Sequence, residues 1–271
     1  MTKKKSFVSF LAIFALALLI GFATYQPSEA SSKKSSGHGS SHGESKSHAK
    51  PHWSYEGKYG PSHWGTMLSE YSACGKGKRQ SPINITRASE AELSPLKFKY
   101  RKSKSLTILN NGHAIQINQR KGSLLYLDGT EFDLLQVHFH SPSEHNVDGE
   151  SFPMEAHFVH ADKDGNLGVV GLMIKVGSHN KALDNIWKVL PKTKKKEKLS
   201  IAYDIDELLP TDKSYYRYAG SLTTPPCTES VTWLVLKSPI EISKDQLKAY
   251  RKILHKTNRP IQGRNNRLVL D

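Results

Sequence analysis

The chain has 271 residues, a formal net charge of +14 and two cysteines. This length allows one large domain or two small ones, each with a proper core. The lysines are scattered, with their densest run at residues 191–198, and no nucleic-acid-binding motif accompanies them. The scattered lysines and the missing motif argue against a nucleic-acid partner, and the charge favours solubility and a loose association with an anionic cell wall.

Residues 1–30 have the layout of a secretory signal peptide. Lysines occupy positions 3–5, an apolar run covers positions 7–23, and small residues surround a cleavage site after Ala30. This pattern predicts export to the periplasm, the cell surface or the medium. A retained membrane anchor is the alternative, because the apolar run is near the length that spans a bilayer.

Residues 31–51 form a segment rich in Ser, Lys and His that is nearly free of apolar side chains. Such a segment cannot bury enough surface to offset the entropy of ordering, so we expect a disordered linker. Weak metal capture by His38, His42 and His48 is the alternative to a solvated spacer.

Residues 52–271 contain no internal repeat and no second linker, which predicts one domain. Strand-like runs dominate and are separated by turn sequences, so we expect a β-rich α+β fold around a large, mostly antiparallel, twisted central sheet. A few peripheral helices are predicted at residues 180–190 and 243–254, the second with Ser243 as its N-cap. The strand-like runs are 106–118, 123–127, 132–140, 154–161, 167–177 and 230–240.

Two of these runs have patterns that are typical of strands in the middle of a sheet. Residues 134–139 interrupt the alternation of apolar and polar residues, and residues 167–177 are apolar on both faces. Strands of this kind lie in the middle of a sheet that is covered on both sides. A functional site on them is expected to be buried.

The sequence QVHFH places Gln136, His138 and His140 on one face of a strand, because side chains alternate between faces. The later run EAHFVH places Glu155 and His157 on one face in the same way. Turn residues separate the two runs. Pairing as antiparallel neighbours would bring the three histidines together.

Three neutral imidazoles with one open position are typical of a catalytic zinc site, whereas structural zinc sites are closed by four protein ligands. Gln136 and Glu155 each precede a proposed ligand by two residues and are expected to hold its second ring nitrogen. A His-x-His pair by itself is more often packing or surface chemistry. By strand parity or by position in a turn, His160 and His145 are assigned structural hydrogen bonds.

Cys74 and Cys227 form an even pair in a chain with an export signal. One disulfide that closes a very long loop is therefore expected, and two unpaired buried thiols are the alternative.

The chain resembles the α-class carbonic anhydrases from residue 53 to residue 270, almost the whole predicted domain. The motifs that carry the resemblance occur in order and are specific together. They are HWSYEG (52–57), RQSPINI (79–85), NNGHAIQI (110–117), QVHFHSPSEHNVDG (136–149), EAHFVH (155–160), GVVGLMIKVG (168–177), YAGSLTTPPCTESVTWLV (218–235) and NRPIQ (258–262).

The resemblance implies an enzyme that hydrates CO2 reversibly to bicarbonate and a proton, through attack of zinc-bound hydroxide. One Zn2+ per chain would bind His138, His140 and His157. Thr223 and Glu144 would orient the hydroxide, and Thr224 would contact the substrate. The implied apolar wall for CO2 consists of Val159, Val169, Leu222 and Trp233.

The resemblance also places a proton shuttle at His113, with the ordinary histidine pKa of about 6.5. Tyr55 and Asn111 would order the water between the shuttle and the metal. A bridge between the two cysteines would brace the loop that carries Thr223. A backbone carbonyl at residue 257 or 258 would orient the second zinc histidine.

Inhibition by sulfonamides and anions, weak ester hydrolysis and a homodimer are further expectations from the resemblance. The rival function is a catalytically inactive, carbonic anhydrase-like domain that binds the cell surface. Such relatives typically lose a zinc histidine, and none is lost here. A generic zinc hydrolase is disfavoured because the chain has no HExxH motif.

Overall fold

The computed structural model describes residues 52–200 and 202–271. The signal segment, its cleavage site near Ala30 and the linker with its three histidines lie outside the described residues. Within the described ranges, no helix has the length and apolar character needed to cross a membrane.

Fourteen strands in the described part form one sheet of eleven strands and one of three. Their bounds in chain order are β1 Asn84–Ile85, β2 Lys97–Lys99, β3 Leu106–Asn110, β4 Ile115–Asn118, β5 Leu124–Leu127, β6 Thr130–His140, β7 Asn146–Val147, β8 Glu150–Ser151, β9 Met154–Ala161, β10 Leu167–Val176, β11 Lys196–Leu199, β12 Tyr215–Gly220, β13 Val231–Leu236 and β14 Ile240–Ile242.

The helices are short and peripheral. The α-helices are α1 Trp64–Met67, α2 Ala73–Lys76, α3 Asp184–Trp187 and α4 Lys244–Arg251, and the 3-10 helices are Gly57–Tyr59, Ser69–Tyr71, Lys181–Leu183 and Ile205–Leu208.

Ser243 caps α4, as predicted, and forms a reciprocal capping box with Gln246. The other predicted helix, residues 180–190, is shorter than expected. Asn180 caps a 3-10 turn that leads into α3, and the helix ends at Trp187, before Pro191.

The large sheet runs in the order β11-β3-β4-β6-β9-β10-β13-β12, with β14 beside β10, and with β5 beside β6 and β2 beside β5. Its neighbours are antiparallel except where β10 meets β13 and β14. The small sheet pairs β7 with β1 and β8. The predicted β-rich fold with a mostly antiparallel central sheet is confirmed.

A β-bulge at Leu135 explains why residues 134–139 interrupt the alternation. Leu134 pairs with His160, and Gln136 pairs with the very next residue along β9, Val159, so Leu135 has no partner on that strand. The extra residue reverses the parity of β6. Phe132 and Leu134 therefore pack in the same core as residues 137 and 139, while residues 136, 138 and 140 point to the other face.

The two faces of β9 belong to two different cores. Ala156 and Phe158 pack in the larger core on one face, and Val159 packs in the second core on the other. His157 shares the face of Val159 by parity. Both faces are covered, and His140 and His157 are buried as expected, whereas His138 is partly exposed.

Candidate metal centre

Strand register brings the three predicted ligands together. His138 and His157 are paired across β6 and β9, and His140 lies opposite Glu155. The three ring centroids are 4.7 to 5.0 Å apart. The nearest ligand-capable nitrogens of His138, His140 and His157 all lie within 4.8 Å of one another.

Two of the rings are oriented by the residues that the sequence predicts. His138 Nδ1 donates to Gln136 Oε1 at 2.8 Å, and His157 Nε2 donates to Glu155 Oε1 at 2.8 Å. A carboxylate only accepts, so the proton of neutral His157 is on Nε2 and the lone pair is on Nδ1. That Nδ1 lies 3.3 Å from Nε2 of His138.

The third ring is held by the backbone. His140 Nδ1 donates to the carbonyl of Thr257 in a short hydrogen bond. The structure therefore identifies Thr257, and not Asn258, as the residue whose carbonyl orients His140. The sequence leaves these two residues open. Thr257 is itself fixed, because its N–H donates to the carbonyl of Ser141 and its hydroxyl accepts from the N–H of Ser141.

These contacts fit a bound cation. His140 Nε2 is buried and has no hydrogen-bond partner among the described residues. On each ring the other nitrogen carries the proton, so the three nitrogens that face one another present only lone pairs. This arrangement is unfavourable unless a cation lies between them. Burial lowers the pKa of His140 to about 4 and lowers the pKa of His138 and His157, so all three rings are neutral at pH 7.

Glu155 has no exposed surface and makes four hydrogen bonds. Its Oε2 accepts from the backbone N–H groups of Glu144 and His145, and its Oε1 accepts from the rings of His145 and His157. Interactions with these two histidines keep its pKa well below the usual range despite burial. Gly171 leaves the room this requires, since a Cβ there would lie 3.0 Å from Oε1.

His145 and His160 make the structural hydrogen bonds assigned to them. His145 joins Glu155 to the hydroxyl of Tyr218, at 2.7 and 2.6 Å. His160 lies on the opposite face, between the hydroxyl of Tyr100 and the carbonyl of Gly168.

Glu144 lies beside the nitrogens of His140 and His157. Its Oε2 is 3.5 Å from Nε2 of His140 and 3.9 Å from Nδ1 of His157, and its Oε1 accepts from the N–H of Arg259 at 2.8 Å. Burial raises the pKa of Glu144 to about 7. His157, this N–H and a hydrogen bond from the Thr223 hydroxyl oppose the rise. Thr223 is thus close enough to affect the pKa of Glu144, whose Oε2 has no hydrogen-bond partner among the described residues.

The four predicted wall residues also meet. Val159, Val169 and Trp233 belong to one buried cluster, and Leu222 packs against it. The Trp233 ring lies edge-on to His157, with centroids 4.8 Å apart. An apolar surface therefore borders the convergent nitrogens.

The predicted shuttle lies among aromatic rings. His113 stacks on Trp53 with centroids 3.6 Å apart, and Tyr55 stands edge-on to it at 6.2 Å. Asn111 Oδ1 accepts from the N–H groups of His113 and Ala114, so this side chain shapes the turn. Burial is the largest cause that lowers the pKa of His113 to about 4, below the expected value of about 6.5.

Comparisons with known proteins agree with this geometry. The model of the eukaryotic-type carbonic anhydrase family matches residues 59–271. The chain belongs to this family. It is 44% identical to a carbonic anhydrase of Pectobacterium carotovorum over 80% of this chain and 90% of that protein, and 43% identical to one of Neisseria gonorrhoeae over 81% and 87%.

A solved structure of the family gives the same result. The α-carbonic anhydrase from Thermovibrio ammonificans, in complex with the inhibitor sulfanilamide, superposes with a TM-score of 0.79 and 46% identity. The match covers 81% of this chain and 99% of that one.

Cys74 and Cys227 form the disulfide that the carbonic anhydrase resemblance implies. The bridge packs with buried Trp64 in a third, small cluster. The N–H of Cys227 donates to the carbonyl of Thr224 at 2.9 Å. The disulfide therefore ties α2 to the loop that carries Thr223 and Thr224.

Two site residues are not among the predicted ones. Arg259 is buried and donates to the Gln80 side chain and to the carbonyls of Ser81 and Cys74. Because the backbone N–H of Arg259 donates to Glu144, this residue joins the disulfide region to Glu144. His52 contacts the predicted shuttle. Both lie in motifs of the resemblance, but buried arginines and ring contacts leave no periodic signal in a single sequence.

Proposed function

We propose that the chain catalyses the reversible hydration of CO2 to bicarbonate and a proton, with one Zn2+ held by His138, His140 and His157. The observation that carries this proposal is the convergence of three neutral imidazole nitrogens beside Glu144 and an apolar wall. Membership of the carbonic anhydrase family supports it.

Zinc is the metal that this donor set favours. Three imidazoles without a thiolate or a fourth protein ligand are typical of catalytic zinc sites, in which one position stays open. A bound Zn2+ would lower the pKa of water to about 7 and so supply hydroxide under mild conditions. Neutral ligands leave the ion its full charge, which favours this chemistry.

The remaining residues position and accept the reactants. CO2 has no charge and no net dipole, so Val159, Val169, Leu222 and Trp233 offer it an apolar surface. Thr223 donates its hydroxyl proton to the Glu144 carboxylate, which leaves the Thr223 oxygen free to accept a hydrogen bond from the nucleophile. Thr224, next along the loop, contacts the substrate.

His113 accepts the proton that each turnover releases, and Tyr55 and Asn111 border its path. The same site hydrolyses esters weakly. It also binds sulfonamides and small anions, as the Thermovibrio relative in complex with sulfanilamide supports.

The experiment combines metal analysis with stopped-flow CO2 hydration on the purified domain. We expect one zinc per chain and rapid hydration in the wild type, and loss of both in His138→Ala. His255→Gln, at an exposed ring, is the matched control. A wild-type chain that binds zinc without hydrating CO2 would instead support an inactive surface-binding domain, and a chain without zinc would overturn the assignment.

We also propose export, a loose cell-wall association through the basic surface, and a homodimer. The signal-like first 30 residues and the disulfide support export, since disulfides persist in oxidising compartments. Cell fractionation tests the location, binding to isolated cell walls at low and high salt tests the association, and analytical ultracentrifugation tests the dimer.

A further inference from the structure

A recess lined by arginines lies on the surface, and none of its residues belongs to the metal centre. It is open to solvent and has a volume of about 690 Å³, which is within the usual range for sites that bind small molecules. Its lining is entirely polar and includes three arginines but no carboxylate. The lining residues are Thr86, Arg87, Arg264, Asn265, Asn266 and Arg267.

Two of the arginines are held in place by backbone carbonyls. Nε of Arg264 donates to the carbonyl of Arg267, and Nε of Arg267 donates to the carbonyl of Arg264. Nη1 of Arg264 also donates to the carbonyl of Thr86. Nη1 and Nη2 of Arg267 donate to the carbonyls of Ala219 and Gly263. Because these guanidinium groups are already fixed, a ligand would bind them with little further loss of side-chain entropy.

Carboxylates do not neutralise the positive charge of the recess. Among the described residues, the arginines that form ion pairs with carboxylates are Arg79 and Arg217, and neither lines the recess. Burial lowers the pKa of Arg267, and the charges of Arg264 and Arg79 lower it further, while Glu229 opposes this effect. Like charges that are held close together favour the binding of an anion between them.

We propose that this recess binds the phosphate groups of an anionic polymer. A guanidinium group donates two parallel N–H bonds to the oxygens of one phosphate, which makes arginine the side chain that suits this ligand. Arg87 is exposed and Arg264 is half-buried, so both are within reach of a ligand from solvent. Thr86, Asn265 and Asn266 add neutral polar groups.

The size and openness of the recess favour a polymer over a free phosphate ion. A lone phosphate would fill only part of a recess of about 690 Å³, whereas an open recess lets a chain enter and leave. The net charge of +14 attracts such a chain to the surface. The inference gives the proposed cell-wall association a binding site and rests on that association for the source of the polymer. It does not depend on CO2 hydration.

Two variants of the recess test the proposal, with calorimetric titration of soluble poly(glycerol phosphate) into the purified protein. Arg87→Gln removes a charge from an exposed side chain, and Arg264→Gln removes one from a fixed side chain. Arg120→Gln, at an exposed arginine outside the recess, is the matched control. We expect the Kd for the polymer to rise about tenfold in each recess variant and to stay at the wild-type value in the control.

Attraction by net charge alone predicts a different result. Arg87→Gln and Arg120→Gln remove the same charge, so equal changes in Kd would overturn the recess as the site. Inorganic phosphate at the same phosphate concentration is expected to bind far more weakly than the polymer. Equal binding of the two would overturn the assignment to a polymer, and so would a single-stranded oligonucleotide that binds more tightly than poly(glycerol phosphate).

NMR gives a readout at the recess itself. The Nε–H groups of Arg264 and Arg267 each donate to a carbonyl, so they are protected from exchange with water and can be observed. Their signals should shift when the polymer is added, and unchanged signals at a saturating concentration would refute the site.

Binding to isolated cell walls separates the recess from the proposed wall association. We expect the walls to retain wild type and Arg120→Gln more strongly than Arg87→Gln. Walls that retain all three proteins equally would overturn the recess and leave the association standing. If the walls retain none of them while the polymer still binds and shifts the arginine signals, the association fails and the phosphate site stands.

Discussion

Glu155 fixes the positions of several neighbouring groups through its hydrogen bonds. It accepts four hydrogen bonds, two from backbone N–H groups that position Glu144 and His145 and two from the rings of His145 and His157. Only an ionised carboxylate can accept all four, because a neutral acid or an amide has to donate at one atom. The lowered pKa of Glu155 keeps it ionised.

Replacing Glu155 with Gln should therefore weaken metal binding. The amide cannot accept from both rings and both N–H groups, so His157 loses its fixed tautomer and orientation. We expect zinc affinity to fall by about 10- to 100-fold, as for other residues that orient metal ligands. Competition with a fluorescent chelator measures this, with exposed Glu150→Gln as the control. Equal affinities in Glu155→Gln and wild type would contradict this role.

At the scale of elements, β6 and β9 do most to build the site. Two-residue periodicity predicts that residues 136, 138 and 140 share a face and that 155 and 157 share another, and the register confirms it. The periodicity does not predict the bulge at Leu135, because the interrupted alternation at residues 134–139 is equally typical of a strand that is covered on both faces. The periodicity also does not show whether the carbonyl of residue 257 or that of residue 258 orients His140, because every residue has the same backbone carbonyl.

His160, on the other face of β9, gives these strands a pH dependence. Its Nδ1–H donates to the carbonyl of Gly168, and its Nε2 accepts from the hydroxyl of Tyr100. Protonation of Nε2 would turn this nitrogen into a donor and would place a positive charge inside the core. Burial lowers the pKa of His160 to about 4. The unfolded chain, with a pKa near 6.5, therefore binds the proton more readily, and stability falls as the pH drops from about 6.5 to about 4.

The expected size of this loss is about 3 kcal/mol. We predict that the free energy of unfolding of wild type, relative to His160→Gln, decreases by about this amount between pH 7 and pH 4. Urea unfolding at several pH values measures it, and the same substitution at exposed His255 is the control. Parallel pH profiles for wild type and His160→Gln would show that His160 is not the cause.

At the scale of the whole molecule, the disulfide and Arg259 join distant parts of the chain around the site. Cys74 and Cys227 are 153 residues apart, and Arg259 links Gln80, Ser81 and the carbonyl of Cys74 to the backbone beside Glu144. The sequence predicts the pairing through its even cysteine count and the resemblance. The arginine contacts depend on the assembled fold and so cannot be predicted from spacing.

Removal of the bridge should lower stability strongly. A crosslink that closes a loop of this length stabilises by about 5 kcal/mol on the chain-entropy model. We expect the double variant Cys74→Ala, Cys227→Ala to unfold at a much lower temperature and to lose some activity, because the loop with Thr223 and Thr224 is no longer braced. Calorimetry measures the shift, and mass spectrometry that finds two free thiols in the exported protein would contradict the premise.

The hydrogen bond from His140 to the carbonyl of Thr257 has a consequence for the order of events during biosynthesis. All three histidines are made by residue 157, yet the acceptor that orients one of them is made a hundred residues later. A nascent polypeptide therefore cannot orient all three histidines before residue 257 has been made. A chain that stops before residue 257 would keep all three histidines but lose the acceptor that orients His140.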